Sequence, residues 1–497
     1  MNWSLWPGRG LVAAAMTILF GACAVSPGPS AQSATPVASL GELATAGPAL
    51  ATAGPTPAPP ARTPVIVDTD MGADDLMALL YLLRDPTVDV RAILVSGTGL
   101  AHSSNGAQIV SDVLGALGAE GIPLGIGDNT PMTGTRAFPD AWRAGADAGF
   151  GLALAPVPMA PSPAVELLSS VIRSSAVPVT ILTLGPLTDL GQALSAEPTL
   201  APNVARVQVS GGAIDVPGNV ASEGGDPAAT AAEWNLWIDP AADDIVLGSG
   251  IPVMLVPLDA TEQLPLGPSF REALANDHVA AGADIAYELI IRNESQLAGT
   301  FFWDQLATVL LTNPAVASLS QASVTVITDG AASGSLEQAA SGRPVSYAVD
   351  PDAAGFQAAF LEGLRRGPPR SDPFTLTGTL HGVYDGSTCG GAPSGAVALG
   401  TYGIDFENTA AGDVGFAVIH LHAGATWQEL IDFAAAVGPN NADTAPPDFV
   451  DVSAFETLSG PGIVRAIVSL TPGTYGFACV HSAGPSVTLS APFEVGD

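Results

Sequence analysis

From about residue 64 onward, short apolar runs rich in β-branched residues alternate with stretches whose apolar positions recur every three or four residues. The first pattern predicts strands at 65–68, 90–95, 123–126, 177–184, 204–209, 252–257 and 324–328. The second predicts helices at 74–84, 105–117, 164–174, 187–194 and 241–247, with a last one at about 351–366. Strands that alternate with crossover helices imply an α/β unit, an open, mainly parallel, three-layer sheet. A break follows at Gly367-Pro368-Pro369-Arg370, and the texture then changes. Segments at 374–380, 416–422, 463–469, 475–480 and 486–495 alternate between Gly- and Pro-rich turns, which predicts an antiparallel β-sandwich with one helical insert near 426–436.

The start of the chain reads differently. Arg9 precedes an apolar run, Leu11 to Ala22, that ends in small residues before Cys23, a pattern similar to a bacterial lipoprotein signal with Cys23 lipidated after cleavage. An ordinary signal peptide is the alternative, and the run is too short for a spanning helix. The Ala-, Thr- and Pro-rich stretch that follows carries almost no charge and predicts a flexible tether. The expected organisation is a signal at 1–22, a tether at 23–63, the α/β domain at 64–367 and the β-sandwich at 373–497. The protein is therefore expected to be exported and held at the cell surface, with the lipid as its only membrane contact.

Charge narrows the functional classes. The 48 Asp and Glu residues outnumber the 15 basic residues and give a net charge of -33, a surface that repels nucleic acid and anionic headgroups. All 15 basic residues are arginine. Without lysine there is no Schiff base, no P-loop lysine and no lysine-assisted aspartyl phosphatase, although the Asp68-x-Asp70 turn superficially allows the last.

The densest chemistry lies at Val65-Ile66-Val67-Asp68-Thr69-Asp70-Met71-Gly72-Ala73-Asp74-Asp75. A strand-like run ends in four aspartates and a helical run follows at once. An N-cap with an acidic first turn accounts for one or two of them, not four. Nothing basic lies nearby before Arg84, so a hard divalent cation bound by carboxylate oxygens is the simplest compensation. Further polar turns sit at strand ends or helix starts: Leu184-Gly185-Pro186-Leu187-Thr188-Asp189, Ser210-Gly211-Gly212, Gly218-Asn219, Glu233-Trp234-Asn235, Leu258-Asp259-Ala260-Thr261 and Trp303-Asp304-Gln305-Leu306-Ala307. One cleft can gather them, as ligand sites of open α/β sheets lie beyond the strands' carboxyl ends.

The Asp-Thr-Asp-x-Gly-x-Asp-Asp turn, the Gly-Pro-Leu-Thr turn, the Glu-Trp-Asn segment and the Trp-Asp-x-x-Ala helix start, in this order over about 64–366, resemble the nucleoside hydrolase family. The resemblance implies hydrolysis of the N-glycosidic bond of ribonucleosides, with a Ca²⁺ ion holding a water and the ribose 2′- and 3′-hydroxyls. Asp70 would then be a metal ligand and the general base, and Asp75, Asp304 and the Leu184 carbonyl the other ligands. Asp74 would hold a ribose hydroxyl, Asn219, Glu233 and Asn235 the remaining sugar oxygens, and Asp68 would order the loop. Trp303 stands where many members place a histidine, which resembles the purine-preferring branch, and Trp142 would be the second stacking wall. The family's asparagine after the second strand is missing from Gly97-Thr98-Gly99-Leu100, residues 220–231 are an added stretch, and Glu262 replaces a common histidine. The partner is a small nucleoside, and a homo-oligomer is left open. A surface-displayed binding lipoprotein whose hydrolase-like domain has lost turnover is the rival reading. His102, in the second strand's loop, is expected on the surface.

Residue types fit the same chemistry independently of the resemblance. N-glycoside cleavage builds positive charge on the sugar, which carboxylates stabilise, while a cation and an aspartate base make water nucleophilic. In the last quarter of the chain, Leu470 to Cys479 resembles the penultimate-strand region of cupredoxin-like domains. Blue-copper sites need a cysteine, two histidines and a weak methionine in defined order. His481 lies only two residues beyond Cys479 and no methionine follows, so a disulfide between Cys389 and Cys479 is expected rather than copper. His420 and His422 alternate onto one strand face.

Overall fold

The computed structural model describes residues 62–368, 376–437, 447–481 and 487–496, apart from 276–277, 279, 294–296 and 298. The proposed signal, Cys23 and the tether up to residue 61 lie outside the described residues. Within them, no helix is long and apolar enough to cross a membrane.

The first strand, β1 (Thr63–Thr69), shows how the core is laid down. Its side chains alternate between two faces, and Val65 and Val67 enter one apolar cluster while Ile66 enters another. Helices cover both faces: Ala73–Leu82, Ser103–Ala116, Ala281–Arg292, Trp303–Thr312 and Ala353–Leu364 on the first, and Ala164–Ser174, Thr188–Ala196 and Pro240–Gly248 on the second. The remaining strands of the sheet are β2 (Val88–Val95), β3 (Leu124–Ile126), β4 (Ser162–Pro163), β5 (Val179–Thr183), β6 (Val204–Ser210), β7 (Val253–Val256), β8 (Ala317–Val326), β9 (Leu336–Gln338) and β10 (Arg343–Pro351). Their order is β4-β3-β2-β1-β5-β6-β7-β10-β8-β9, parallel as far as β10 and antiparallel at the β10–β8–β9 edge.

The chain builds leftward from β1 to β4, then returns to place β5 against the other side of β1. That reversal opens a crevice beyond the carboxyl ends of β1 and β5, the usual ligand position in open α/β sheets. The antiparallel edge was not anticipated, because β10 alternates only weakly. The Ala281–Arg292 helix is likewise absent from the predicted elements: every residue from Ala281 to Ile290 is buried, and its polar stripe, Asp284 and Glu288, lies in the interior too.

The C-terminal region is β-rich. One sheet runs Cys389–Gly390, Gly378–Tyr384, Gly400–Asn408, Gly462–Leu470; the other runs Val397–Ala398, Phe493–Gly496, Gly473–His481, Asp413–Leu421, Val450–Ser459. Phe406 of the first stacks on Phe416 of the second and meets Phe477 edge-on. Pairing departs from the expected all-antiparallel pattern, since Gly378–Tyr384 runs parallel to Gly400–Asn408 and Val397–Ala398 parallel to Phe493–Gly496. The long excursion through residues 385–399 lets two same-direction strands pair, which a tight hairpin cannot do. A disulfide joins Cys389 to Cys479. The insert is the helix Trp427–Val437. Tyr287 donates its hydroxyl to Glu456, and Arg292 donates to the Ile467 carbonyl at 2.6 Å, so this region is tied to the Ala281–Arg292 helix.

Candidate metal centre and substrate cleft

The aspartate turn is built by strand pairing followed by a fixed loop. Leu184 N donates to Asp68 O at 2.8 Å, closing the end of β5 onto β1. Met71 then takes a positive φ of 57°, a conformation few side-chain-bearing residues adopt, and the helix begins at Ala73. Asp75 holds the turn: its Oδ1 accepts from the Thr69 hydroxyl and from Asp70 N at 3.0 Å, and its Oδ2 accepts from Gly72 N at 3.0 Å.

Carboxylate oxygens of Asp74, Asp75 and Asp304 all lie within 4.8 Å of one another. Asp304 arrives from the first turn of Trp303–Thr312, more than two hundred residues later in the chain. Burial, then Asp75 and Asp74, push its carboxyl well above the ordinary range, and its Oδ2 is buried without a hydrogen-bond partner among the described residues. Asp74 is pushed up to about 7 by desolvation and by Asp75. Asp70 is pushed well up by burial and by contact with Asp75. The trio thus includes Asp74, read from sequence as a sugar contact, while Asp70 stands against Asp75 at its edge. Packed carboxylates that repel one another, with one Asp304 oxygen left without a donor among the described residues, fit a hard divalent cation with oxygen ligands.

Asp70 is positioned by backbone. Leu100 N donates to its Oδ2 at 3.2 Å, and Ala101 N donates to its carbonyl at 2.8 Å. The loop after β2 therefore steadies this carboxylate by a main-chain N–H, although it lacks the family's asparagine. Space is tight: a Cβ on Gly99 would fall 2.1 Å from Asp70 Oδ2, and one on Gly185 would fall 2.7 Å from Asp70 Cβ. The need for glycine at 99 and 185 is a pattern that sequence reading passed over. So is Arg143, whose buried guanidinium donates to Gly97 O at 2.8 Å and acts electrostatically on Asp70.

Asp68 does not order the loop through hydrogen bonds. Both its oxygens are buried and without donors among the described residues, and burial and then Asp189 push it well up. Asp189 is likewise without donors and is pushed up to about 8 by burial and by Asp128. Burial and repulsion by neighbouring acids favour the protonated form of both carboxyls, which lowers the cost of burying them without donors.

The other end of the cleft is a saturated hydrogen-bond scaffold. Glu233 caps the Trp234–Ile238 helix, with Oε1 accepting from Asn235 N at 2.9 Å and Oε2 accepting from Gly212 N at 2.9 Å and Leu236 N at 3.3 Å. Asn235 Nδ2 donates to Leu184 O at 3.0 Å and Ser210 O at 3.1 Å, so it bridges the ends of β5 and β6. Asn219 Oδ1 accepts from Trp234 N at 3.2 Å. The Leu184 carbonyl faces this network and keeps a second lone pair for another partner.

Aromatic residues line one flank. Phe138, Trp142, Trp234 and Trp237 form a chain of ring contacts, with Phe138 and Trp234 stacked at 4.8 Å and Trp142 tilted over Trp234 at 5.4 Å. Trp142 is 38% exposed, so it sits at the rim and not in a core. Trp303 packs on Phe301, and its indole N–H is buried without a partner among the described residues. His102 lies on the surface, paired with Asp147 at 2.7 Å.

The family described as inosine-uridine preferring nucleoside hydrolase matches residues 65–358, which cover the whole sheet and all the groups above. The chain belongs to that family. The pyrimidine-specific ribonucleoside hydrolase RihA of Escherichia fergusonii is 34% identical over 203 residues, 40% of this chain and 61% of that protein. RihA of Escherichia coli O7:K1 matches equally. The chain thus spans about three fifths of the length of these curated relatives. Among solved structures, an inosine-uridine preferring nucleoside hydrolase from Bacillus anthracis superposes with a TM-score of 0.54 at 24% identity, over 61% of this chain and 99% of that one. A plant nucleoside hydrolase gives 0.54 at 25% identity with the same coverage. A purine-preferring ribonucleoside hydrolase from Gardnerella vaginalis gives 0.53 at 20%, over 61% and 98%. These likenesses establish the nucleoside hydrolase fold for the α/β part of the chain.

Proposed function

We propose that this nucleoside hydrolase family member cleaves the N-glycosidic bond of ribonucleosides, giving ribose and free base, with Ca²⁺ held by Asp70, Asp75, Asp304 and the Leu184 carbonyl. The observation that carries this is the acidic cluster at the β1/β5 crevice, with Asp74, Asp75 and Asp304 within 4.8 Å and Asp304 Oδ2 without a donor among the described residues. When bound there, a hard cation supplies Lewis acidity to a water and to vicinal sugar hydroxyls. Asp70, steadied by Leu100 N, takes the proton from the attacking water. Asp74 accepts from a ribose hydroxyl, and Asn219, Glu233 and Asn235 shape the pocket for the remaining sugar oxygens. The surrounding carboxylates favour the positive charge that builds on the sugar as the base departs.

For the base, Trp303 and Trp142 favour a stacked purine. The curated relatives carry pyrimidine-specific names and one structural neighbour is named purine-preferring, so the preference rests on these two indoles. The chain is read as a signal at 1–22, a tether at 23–63, a hydrolase domain at 64–367 and a cupredoxin-like β-sandwich at 373–497 without copper, exported and anchored through Cys23. Mass spectrometry of membrane-extracted protein should find a lipidated N-terminus at Cys23; an unmodified N-terminus further along would rule the anchor out. The decisive assay presents purified protein with inosine, guanosine, uridine and cytidine, with and without chelator. Hydrolysis that vanishes on chelation and returns with Ca²⁺ is expected. Full turnover by protein shown metal-free by elemental analysis would overturn the metal assignment, and no turnover of any nucleoside would favour a binding role.

A further inference from the structure

The loop after β2, from Ser96 to Ala101, holds Asp70 through the N–H groups of Leu100 and Ala101, yet little in its own sequence fixes its shape. Gly97 and Gly99 flank Thr98, and glycine leaves the backbone free to take many conformations. The loop is held from outside instead. The Thr98 hydroxyl meets the hydroxyls of Ser96 and Thr188, each at 3.0 Å. The other holds come from one helix, Asp140–Asp147. Arg143 Nη2 donates to Gly97 O at 2.8 Å and Nη1 to Thr98 O at 3.5 Å. Asp147 Oδ1 accepts from His102 N at 2.8 Å. The helix thus grips the chain on both sides of Leu100, whose N–H reaches Asp70 Oδ2.

Arg143 is only 6% exposed, and among the described residues its hydrogen bonds go to these two carbonyls. Burying a guanidinium costs free energy unless hydrogen bonds and nearby acids offset it. The acids that act on its charge are Asp147, Asp70 and Asp140, so Asp70 belongs to its surroundings as well. The two carbonyls it holds immediately precede the Gly99–Leu100 peptide, so a shift of the guanidinium moves the donor that steadies Asp70. The carboxylate has no slack to absorb such a shift, since even a Cβ on Gly99 would fall 2.1 Å from its Oδ2. On the reading under Proposed function that Asp70 takes the proton from the attacking water, we propose that Arg143 is a positioning residue for that step: it fixes the Gly97–Leu100 loop, which lacks the family's asparagine, and thereby aims the Asp70 carboxylate. It acts through the loop and not on the substrate.

The test is a double-mutant cycle on the calcium-loaded full chain, with kcat for inosine measured in wild type, Arg143→Met, Asp70→Asn and the double variant. Arg143→Met keeps an unbranched side chain and removes the donors and the charge. Elemental analysis verifies that all four proteins carry calcium. With Asp70 present, Arg143→Met should lower kcat about tenfold to hundredfold, the scale of a misplaced catalytic group. With Asp70→Asn already in place, the same substitution should cost less than about threefold more, because the group it aims is gone. A loss as large as in the Asp70 background, within about twofold, would mean that Arg143 supports the fold at large and would overturn the assignment. So would Arg143→Met with the kcat of wild type. If Arg143→Met does not fold, the cycle is run with Arg143→Lys, whose single ammonium cannot span both carbonyls, and the same outcomes decide. An additive cycle leaves the hydrolase reading standing. Asp70→Asn with near-normal turnover would remove the base assignment and the role of Arg143 together, and wild type that cleaves no nucleoside would remove the hydrolase reading as well.

Discussion

The two ends of the cleft are both rich in acids, yet they are built oppositely. At the β1/β5 end, Asp304 keeps a buried oxygen without a donor among the described residues, and Asp70, Asp74 and Asp304 are all driven upward by burial and then by Asp75. At the other end, Glu233 is just as buried but takes three backbone N–H groups, and Asn235 ties two strand ends together. A buried carboxylate that the fold has already satisfied is scaffold. One left without donors costs free energy unless it is neutral or something else arrives, so Asp304, set among Asp74 and Asp75 at the crevice, marks a place for a ligand where Asp68 does not. Burial alone does not distinguish the two; the donor inventory does.

The contrast predicts opposite profiles for Asp70→Asn and Glu233→Gln. Asp70→Asn removes the proton acceptor, and turnover should fall by about 10²–10⁴-fold, or more if the metal is also lost. The metal-free variant should melt no lower than wild type, because one of several mutually repelling charges is gone. Glu233→Gln turns an amide N–H toward a backbone N–H and leaves a buried donor unsatisfied, with a stability loss of about 1–3 kcal/mol. Steady-state kinetics paired with thermal melts separates the two; a Glu233→Gln protein as stable as wild type would erase the distinction drawn here.

A smaller effect concerns pH. Asp74 titrates near 7 in the folded protein against 3.8 unperturbed, and Asp70 and Asp304 are shifted the same way. The folded state therefore holds protons that the unfolded state has released. By linkage the metal-free protein is favoured below about pH 4 and loses that contribution as pH rises toward 7 and above. Chelated protein should show a melting temperature that falls between pH 5 and 8. With saturating Ca²⁺, whose binding displaces those protons, the fall should flatten or reverse. A chelated melting curve independent of pH over that range would contradict the crowding of these carboxylates.

The smallest effect tests the aromatic flank. Stacking contributes roughly 0.5–1.5 kcal/mol beyond burial, so Trp303→Ala should lower kcat/KM for inosine or guanosine by about threefold to tenfold more than for uridine or cytidine. Trp142→Ala at the rim should act in the same direction. Equal losses on both classes of base would remove the purine preference while leaving the hydrolase reading intact.

The residues of the metal end were legible in the chain itself. Asp70, Asp74 and Asp75 crowd one strand-to-helix turn, more acid than a helix cap alone calls for. The parallel strands were legible too, because strands buried on both faces read as unbroken apolar runs. Local pattern could not show the backbone N–H of Leu100 standing in for a missing asparagine, nor the glycines at 99 and 185 that leave room for Asp70. It could not show that Glu233 is consumed by capping, that Asp68 faces Asp189, or that Arg143 holds the Gly97 carbonyl. Each is a meeting of groups from different strands or loops, or a matter of which donors remain once the backbone has taken its share. Residue types and their periodicity determined which elements form and where charge accumulates. Only the tertiary structure decided which of those charges were satisfied, because hydrogen-bond partners are assigned by proximity in space and not by order along the chain.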